Sequence, residues 1–419
     1  MMSRRNIFKV LLILAITVSL VTVGLHQLGT DKEPEWGRSP DHIVLSWTAD
    51  PATTVTITWR TNPGVHKSLV QYAPRLNDNP FPTGSSLARG RVTTLKTNLG
   101  NYHIHTATLA NLKPGIIYLY RVGDGVRWSK VYSFTTEARN IGQFTAVVFG
   151  DSQCSVKNYR VWQGTLLAAV KRETPRFIIN AGDLVDNGSD QKQWEAWFAA
   201  GKGVLEGMPE MPAVGNHEFP SYFGNRFPQS FLAQFSLPEN GPPGLKELTY
   251  SFDYGDAHFV ILDSQVSNNS PLLKLQQNWL KGDLERTKKK WKIVIFHRPP
   301  YYAKTNRAND DVKEAFCPIL EENHADLVIN GHDHAVMRTY PIAGGRIVAR
   351  SKGTVYLIAG RSGEKTYYDL SQNWWAQYFY NPVDQPTYTV LKFTDGELRV
   401  ICKKMDGTIL DAYVIEKSS

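Results

Sequence analysis

Phe144-Thr145-Ala146-Val147-Val148-Phe149 is an almost wholly apolar run that stops abruptly in Gly150-Asp151-Ser152-Gln153. Such a run reads as a strand buried on both faces, and the carboxyl end of a strand is where α/β sheets bind their ligands. The same arrangement recurs along the chain. Residues 176–180 lead into Gly182-Asp183-Leu184-Val185-Asp186, and residues 211–214 into Gly215-Asn216-His217-Glu218. Residues 293–296 end at His297, and residues 326–329 run into Gly331-His332-Asp333-His334. These clusters are expected to converge in one cleft.

A single Gly-Asp is usually a turn, and a single buried histidine is usually a core residue. Five polar clusters, each at a strand end, describe a site. Its donors are carboxylate, amide oxygen and imidazole, with no thiolate, which suits zinc, manganese, iron or cobalt in a reactive centre rather than a structural zinc site. One carboxylate can bridge two cations about 3.5 Å apart, and such pairs clamp the attacking and leaving oxygens of an in-line displacement at phosphorus.

Working outward, residues 258–262, 291–296 and 354–359 read as further buried strands. Ser270-Pro271 supplies a helix cap followed by proline at the first helical position, and Leu272, Leu275, Trp279, Leu280 and Leu284 mark one face. Residues 309–322 are expected to be helical, with Pro318 kinking or dividing them. The whole is an α/β or α+β layered domain. Upstream the pattern differs. Thr54-Val55-Thr56-Ile57-Thr58-Trp59 alternates strictly, as a strand with one buried face does. Similar pieces at 43–47, 68–72, 103–109, 116–122 and 130–135, separated by turns, suggest an antiparallel β-sandwich of about seven strands. His103, His105 and His258 fall within strand patterns and are left out of the site.

The chain of 419 residues, 42% hydrophobic and 21% charged, suits two domains. Its formal charge of +8 includes Arg4, Arg5 and Lys9 at the extreme N-terminus, and Lys288-Lys289-Lys290 reads as a solvated helix end. Basic and aromatic residues do not interleave as in a nucleic-acid footprint. Three scattered cysteines exclude a disulfide framework and a zinc finger. The basic start and the apolar residues 10–25 form an export signal, cleaved or retained as an anchor, so the protein is expected to be secreted or held at the outer face of the cell membrane. The division is thus 1–30 for the signal or anchor, 38–137 for the sandwich and 143–417 for the catalytic domain.

The Gly-Asn-His-Glu and Gly-His-Asp-His signatures, ordered with two Gly-Asp motifs and His297, resemble those of calcineurin-like metallophosphoesterases, and among these the purple acid phosphatases. The sandwich resembles their fibronectin-III-like N-terminal domain through Asn111-Leu112-Lys113-Pro114-Gly115, Tyr118, Tyr120 and Phe134-Thr135-Thr136. This resemblance implies a β-sandwich flanked by helices as the catalytic fold. It also implies two divalent or mixed-valence metal ions of iron, manganese or zinc. Asp183 would bridge them, Asp151 and His334 would hold the first, and Asn216, His297 and His332 the second. His217 would face the substrate and stabilise the transferring phosphoryl group, while a metal-bound hydroxide attacks phosphorus.

Two departures carry consequences. The purple enzymes have a tyrosinate ligand three residues after the bridging aspartate, where this chain has Asp186, so the protein is expected not to be purple. Gln153, two residues after Asp151, stands where many relatives have histidine and is a candidate ligand of the first metal. Arg307 is a candidate substrate-phosphate contact. Trp374, Trp375, Tyr378, Phe379 and Tyr380 either line the cleft or pack in the core. The implied activity is hydrolysis of phosphomonoesters outside the cytoplasm. A phosphodiesterase or nucleotidase with the same site is the alternative, and a non-catalytic cell-surface binding module is the alternative from another class. The intact ligand set weighs against the last.

Overall fold

The computed structural model describes residue 37, residues 39–75, residue 81 and residues 83–220, 227–307, 309–349 and 352–417; the export segment proposed at 1–30 lies outside the described residues.

The first domain is a pair of four-stranded antiparallel sheets. One runs Asp41–Ser46, Val55–Thr61, Gly100–Leu109, Arg91–Thr97, and the other Ser86–Arg89, Leu69–Pro74, Ile117–Gly123, Tyr132–Thr135. Leu45, Ile57, Trp59, Val70, Tyr120 and Val122 fill the space between them. Ser86–Arg89 and Arg91–Thr97 carry little apolar pattern because both are largely exposed.

The expectation of one buried face for the alternating strand is corrected. Every residue of Val55–Thr61 is buried. Its polar side is covered by the second domain, where Thr58 Oγ1 lies 3.1 Å from Ser236 Oγ and the Arg60 guanidinium 3.3 Å from Glu195. Nor does the core respect the domain seam. Trp47 and Val44 belong to the hydrophobic core of the second domain. The Trp47 ring stands 5.3 Å from that of Phe177 and 5.4 Å from that of Tyr254.

The second domain packs two sheets face to face. The smaller is ordered Phe177–Asn180, Phe144–Phe149, Thr387–Phe393, Glu397–Lys404, Ile409–Glu416. The larger is ordered Tyr250–Tyr254, Ala257–Ile261, Trp291–Ile295, Leu327–Asn330, Val355–Ala359, Val336–Thr339, Ala376–Tyr380. The four strands from Ala257–Ile261 to Val355–Ala359 run parallel, as Phe144–Phe149 and Phe177–Asn180 do, so their carboxyl ends share a side. Alternation separates the two faces of the larger sheet. Phe259, Ile293, Ile295, Leu327, Ile329 and Leu357 enter the central core, while Val260, Val294, Val328, Tyr356 and Ile358 meet an outer layer. That layer contains the helices Pro271–Arg286 and Asp310–Glu322; on the far side Arg160–Glu173 packs on the smaller sheet.

Ser270 Oγ accepts the Leu272 N–H and caps its helix, with proline at the first position. Its buried face is Leu273, Gln276, Leu280 and Leu284, whereas Leu275 is exposed, so the expected stripe is displaced. Pro318 does not divide its helix, which runs unbroken from Asp310 to Glu322. Residues 211–214 form no strand and join the smaller sheet through isolated bridges, Glu210 to Ile178 and Ala213 to Ala181.

Two buried groups give the fold a preferred pH. His258 joins Asp253 (2.7 Å) to Asp283 (2.9 Å). Burial alone would lower its pKa, but the two carboxylates raise it to about 9. Glu210 is pushed up to about 8 by burial, and its Oε2 has no hydrogen-bond partner. The stabilisation from His258 is fully present below its unfolded value of about 6.5 and is lost as pH rises through its folded value. Folding favours protonated Glu210, so stability falls above its unfolded value of about 4.3 and continues to fall up to the folded one. The melting temperature is therefore expected to be higher at pH 6 than at pH 9, and Glu210→Gln should flatten the decline. Calorimetry across this range checks it; a curve that rises toward pH 9 contradicts both assignments.

Candidate metal centre

The turns that follow the parallel strands set the site. Asp151, Asp183, His332 and His334 all adopt left-handed backbone conformations, with φ of 49°, 52°, 73° and 56°. Each costs an L residue about 1–3 kcal/mol and persists only where the surroundings enforce it. Close packing does so here. A Cβ on Gly331 would stand 2.6 Å from Asp151 Oδ2, and one on Gly182 would stand 2.6 Å from the His297 ring.

The side chains form two groups with Asp183 between them. In one, His334 Nε2 lies 3.3 Å from Asp151 Oδ1. In the other, His297 Nε2 lies 3.2 Å from Asn216 Oδ1 and 3.1 Å from His332 Nδ1. Asp183 Oδ2 is 3.0 Å from His297 Nε2, while its Oδ1 accepts the His217 N–H at 2.9 Å. The side-chain donors of Asp183, His297 and His332 all lie within 4.8 Å of one another. Gln153 reaches the first group. The amide orientation that satisfies its hydrogen bonds has the nitrogen donating to the main-chain oxygens of Asp183 and Asp151. The amide oxygen then faces the site, at the amide position 3.5 Å from both Asp183 Oδ2 and His334 Nε2.

These residues fit a pair of cations. The Nδ1 atoms of His297 and His334 face the carbonyl oxygens of Ala181 (2.8 Å) and Lys365 (2.7 Å). A carbonyl only accepts, so each Nδ1 carries the hydrogen and each Nε2 turns a lone pair inward. The local field also favours positive charge. Burial would lower His297, but the Asp183 carboxylate facing it raises it to about 9. Burial would raise Asp183, yet His297, His217 and His332 hold it well below the carboxylate range. His332, half-buried, is lowered by desolvation and by the neighbouring His297 and Arg307.

Glu218 supports this arrangement from beneath. It accepts main-chain N–H groups from Gly215, Asp183, Leu184 and Val185. Burial and the Asp183 charge push it up to about 8, while the N–H donors act in the opposite direction. Asp333 does the same for the other signature, accepting from Ala303 and Lys304. Arg307, read from the sequence as a substrate contact, binds Asp333 Oδ1 through Nε at 2.9 Å and the His332 carbonyl through a terminal nitrogen at 3.2 Å.

At the mouth, the His217 Nδ1 hydrogen goes to the Asp186 carbonyl (2.6 Å), and its Nε2 lies 3.8 Å from Asp183 Oδ2. Lys365 and Tyr367 carry no sequence signal, yet both stand here. The Tyr367 ring is 4.3 Å from that of His334, and burial pushes its hydroxyl up to about 12. Of the five aromatics that follow, Trp375 is buried against Tyr301 and Tyr302, Tyr378 and Phe379 pack against the core, and Trp374 is exposed. Tyr380 packs on the core and its hydroxyl donates to Asp384.

Both domains are similar to known proteins. Residues 40–136 match the family Purple acid Phosphatase, N-terminal domain, and residues 144–336 match Calcineurin-like phosphoesterase. Acid phosphatase type 7 of Mus musculus is 25% identical, over 89% of this chain and 90% of its own length. Purple acid phosphatase 15 of Arabidopsis thaliana is also 25% identical, over 78% of this chain and 69% of its own. The solved purple acid phosphatase from yellow lupin (Lupinus luteus) seeds shares the fold, with a TM-score of 0.74 at 19% identity, over 90% of this chain and 74% of that one.

Proposed function

Since the chain belongs to the calcineurin-like phosphoesterases, with a purple acid phosphatase N-terminal domain before the catalytic one, we propose that it is an exported phosphomonoesterase working through a dinuclear metal centre. Hydrolysis of phosphoric esters follows from the family. The observation that carries the finer reading is the convergence of Asp151, Asn216, His297, His332 and His334 around Asp183. The acid phosphatase names of the two curated relatives favour a monoester. Iron, manganese and zinc all suit the oxygen and imidazole donors. When bound, such a pair would neutralise phosphoryl charge and acidify the attacking water.

The protein's own groups supply the rest. His217 is half-buried and faces the opening, with its ring held by the Asp186 carbonyl. Because Nδ1 already carries a hydrogen, Nε2 donates only from the imidazolium form, which can hand a proton to the leaving oxygen. Export is supported by the basic start and the apolar residues 10–25. Among the described residues no helix is long and apolar enough to cross a membrane.

One experiment tests the proposal: hydrolysis of a chromogenic phosphomonoester and the matching diester, by intact cells and by pure protein, after chelation and return of single metals. We expect monoester turnover that chelation removes and a metal restores, with activity outside the cell. Preference for the diester would replace the monoester reading. Activity only after lysis would end the claim of export.

A further inference from the structure

Lys365 touches the site twice. Its main-chain oxygen accepts the Nδ1 hydrogen of His334 at 2.7 Å. Its ammonium lies 3.3 Å from His217 Nε2 and 3.2 Å from Asp186 Oδ1. With the bond from His217 to the Asp186 carbonyl, the three residues close a ring at the mouth, beside Asp183.

The loop beneath is fixed. Ser362 N donates to Gly150 O at 2.7 Å and Gly363 N to Asp151 O at 3.0 Å. A Cβ on Gly363 would meet Gln153 O at 2.2 Å. Lys365 is therefore held at a set place relative to the Asp151 turn, while its side chain remains partly free. The ion pair itself explains little, because its side chains are 34% and 47% exposed and pairs in contact with water add little stability. The ammonium, partly open to solvent and donating to the His217 Nε2 edge, is instead a cationic donor set where an oxyanion would enter beside His217.

We propose that Lys365 binds a terminal oxygen of a phosphomonoester dianion, with Asp186 as its tether, and so makes the site prefer monoesters to diesters. The proposal rests on the phosphoester-hydrolase reading. A monoester presents three terminal oxygens sharing two charges. A diester replaces one of them with an esterified oxygen, which is a weaker acceptor and carries bulk toward the Lys365–Asp186 pair.

The test uses Lys365→Met in the metal-loaded full chain, since this change keeps the main-chain oxygen that orients His334. We expect kcat/KM for an aryl phosphomonoester to fall about 10–100-fold, chiefly through KM, and that for the diester to change less than about 3-fold. Calorimetric titration with inorganic phosphate should show a similar loss of affinity at unchanged metal content, and Lys365→Arg should restore most of it. Equal losses for both esters, unchanged phosphate affinity, or loss of metal from Lys365→Met would each overturn the proposal. If the parent protein hydrolyses neither ester, the phosphomonoesterase reading falls, and the phosphate titration still decides whether Lys365 binds the anion.

Discussion

Asp183→Asn is expected to lower turnover roughly 10³-fold or more, because several kcal/mol of charge stabilisation depend on this carboxylate. The geometry explains why so small a change acts so strongly. Asp183 Oδ1 accepts the His217 N–H, and Oδ2 faces His297 and Gln153. An asparagine must keep its oxygen at the first position to satisfy that N–H. Its amide nitrogen, a donor, is then forced toward the metal positions. Elemental analysis should find the bound metal reduced along with kcat, in a protein whose circular dichroism is unchanged. Full metal content with full activity would show that Asp183 does not bridge.

Gly215→Ala should be almost as damaging, although it adds a single methyl group. The backbone at Gly215 is extended, with φ of −104°, so any residue fits its conformation. The obstacle is space. A Cβ there would lie 2.2 Å from Asp183 Oδ1 and 2.3 Å from Asp183 N. Neither neighbour can yield, because Asp183 is held on both sides by Glu218 and His217. We expect a stability loss of about 1–3 kcal/mol from overpacking, read by urea unfolding. Activity should fall roughly 100-fold, as a misplacement of about 1 Å does to catalytic groups. Wild-type turnover and stability in this variant would show that the turn is softer than its contacts imply.

The sequence exposes the strand ends because strands buried on both faces must be apolar, and their polar ends then stand out. Phe144–Phe149 is read to the residue for this reason. The turn chemistry is less visible. Asp151, Asp183, His332 and His334 occupy left-handed conformations that tertiary packing enforces and local preference opposes. Residues 211–214 look like a strand because they are apolar and packed in the core, yet isolated bridges stand where a strand pairing would be. Arg160–Glu173 and Gln191–Gly201 were not expected as helices; their buried faces mix Trp162, Trp194 and Trp197 with Thr165, Gln191 and Gln193, which blurs the period. Lys365 has no motif, and only the loop that carries it to His217 gives it meaning.

Trp47 lies upstream of the seam but inside the core downstream of it. A chain begun at residue 143 would inherit a tryptophan-sized void facing Phe177, Phe252 and Tyr254. Voids of that kind cost about 3–5 kcal/mol, a large share of what holds an ordinary domain together. The segment that carries the catalytic residues is thus smaller than the segment that completes the core around them. The sandwich is less an appendage than the missing piece of its neighbour's interior.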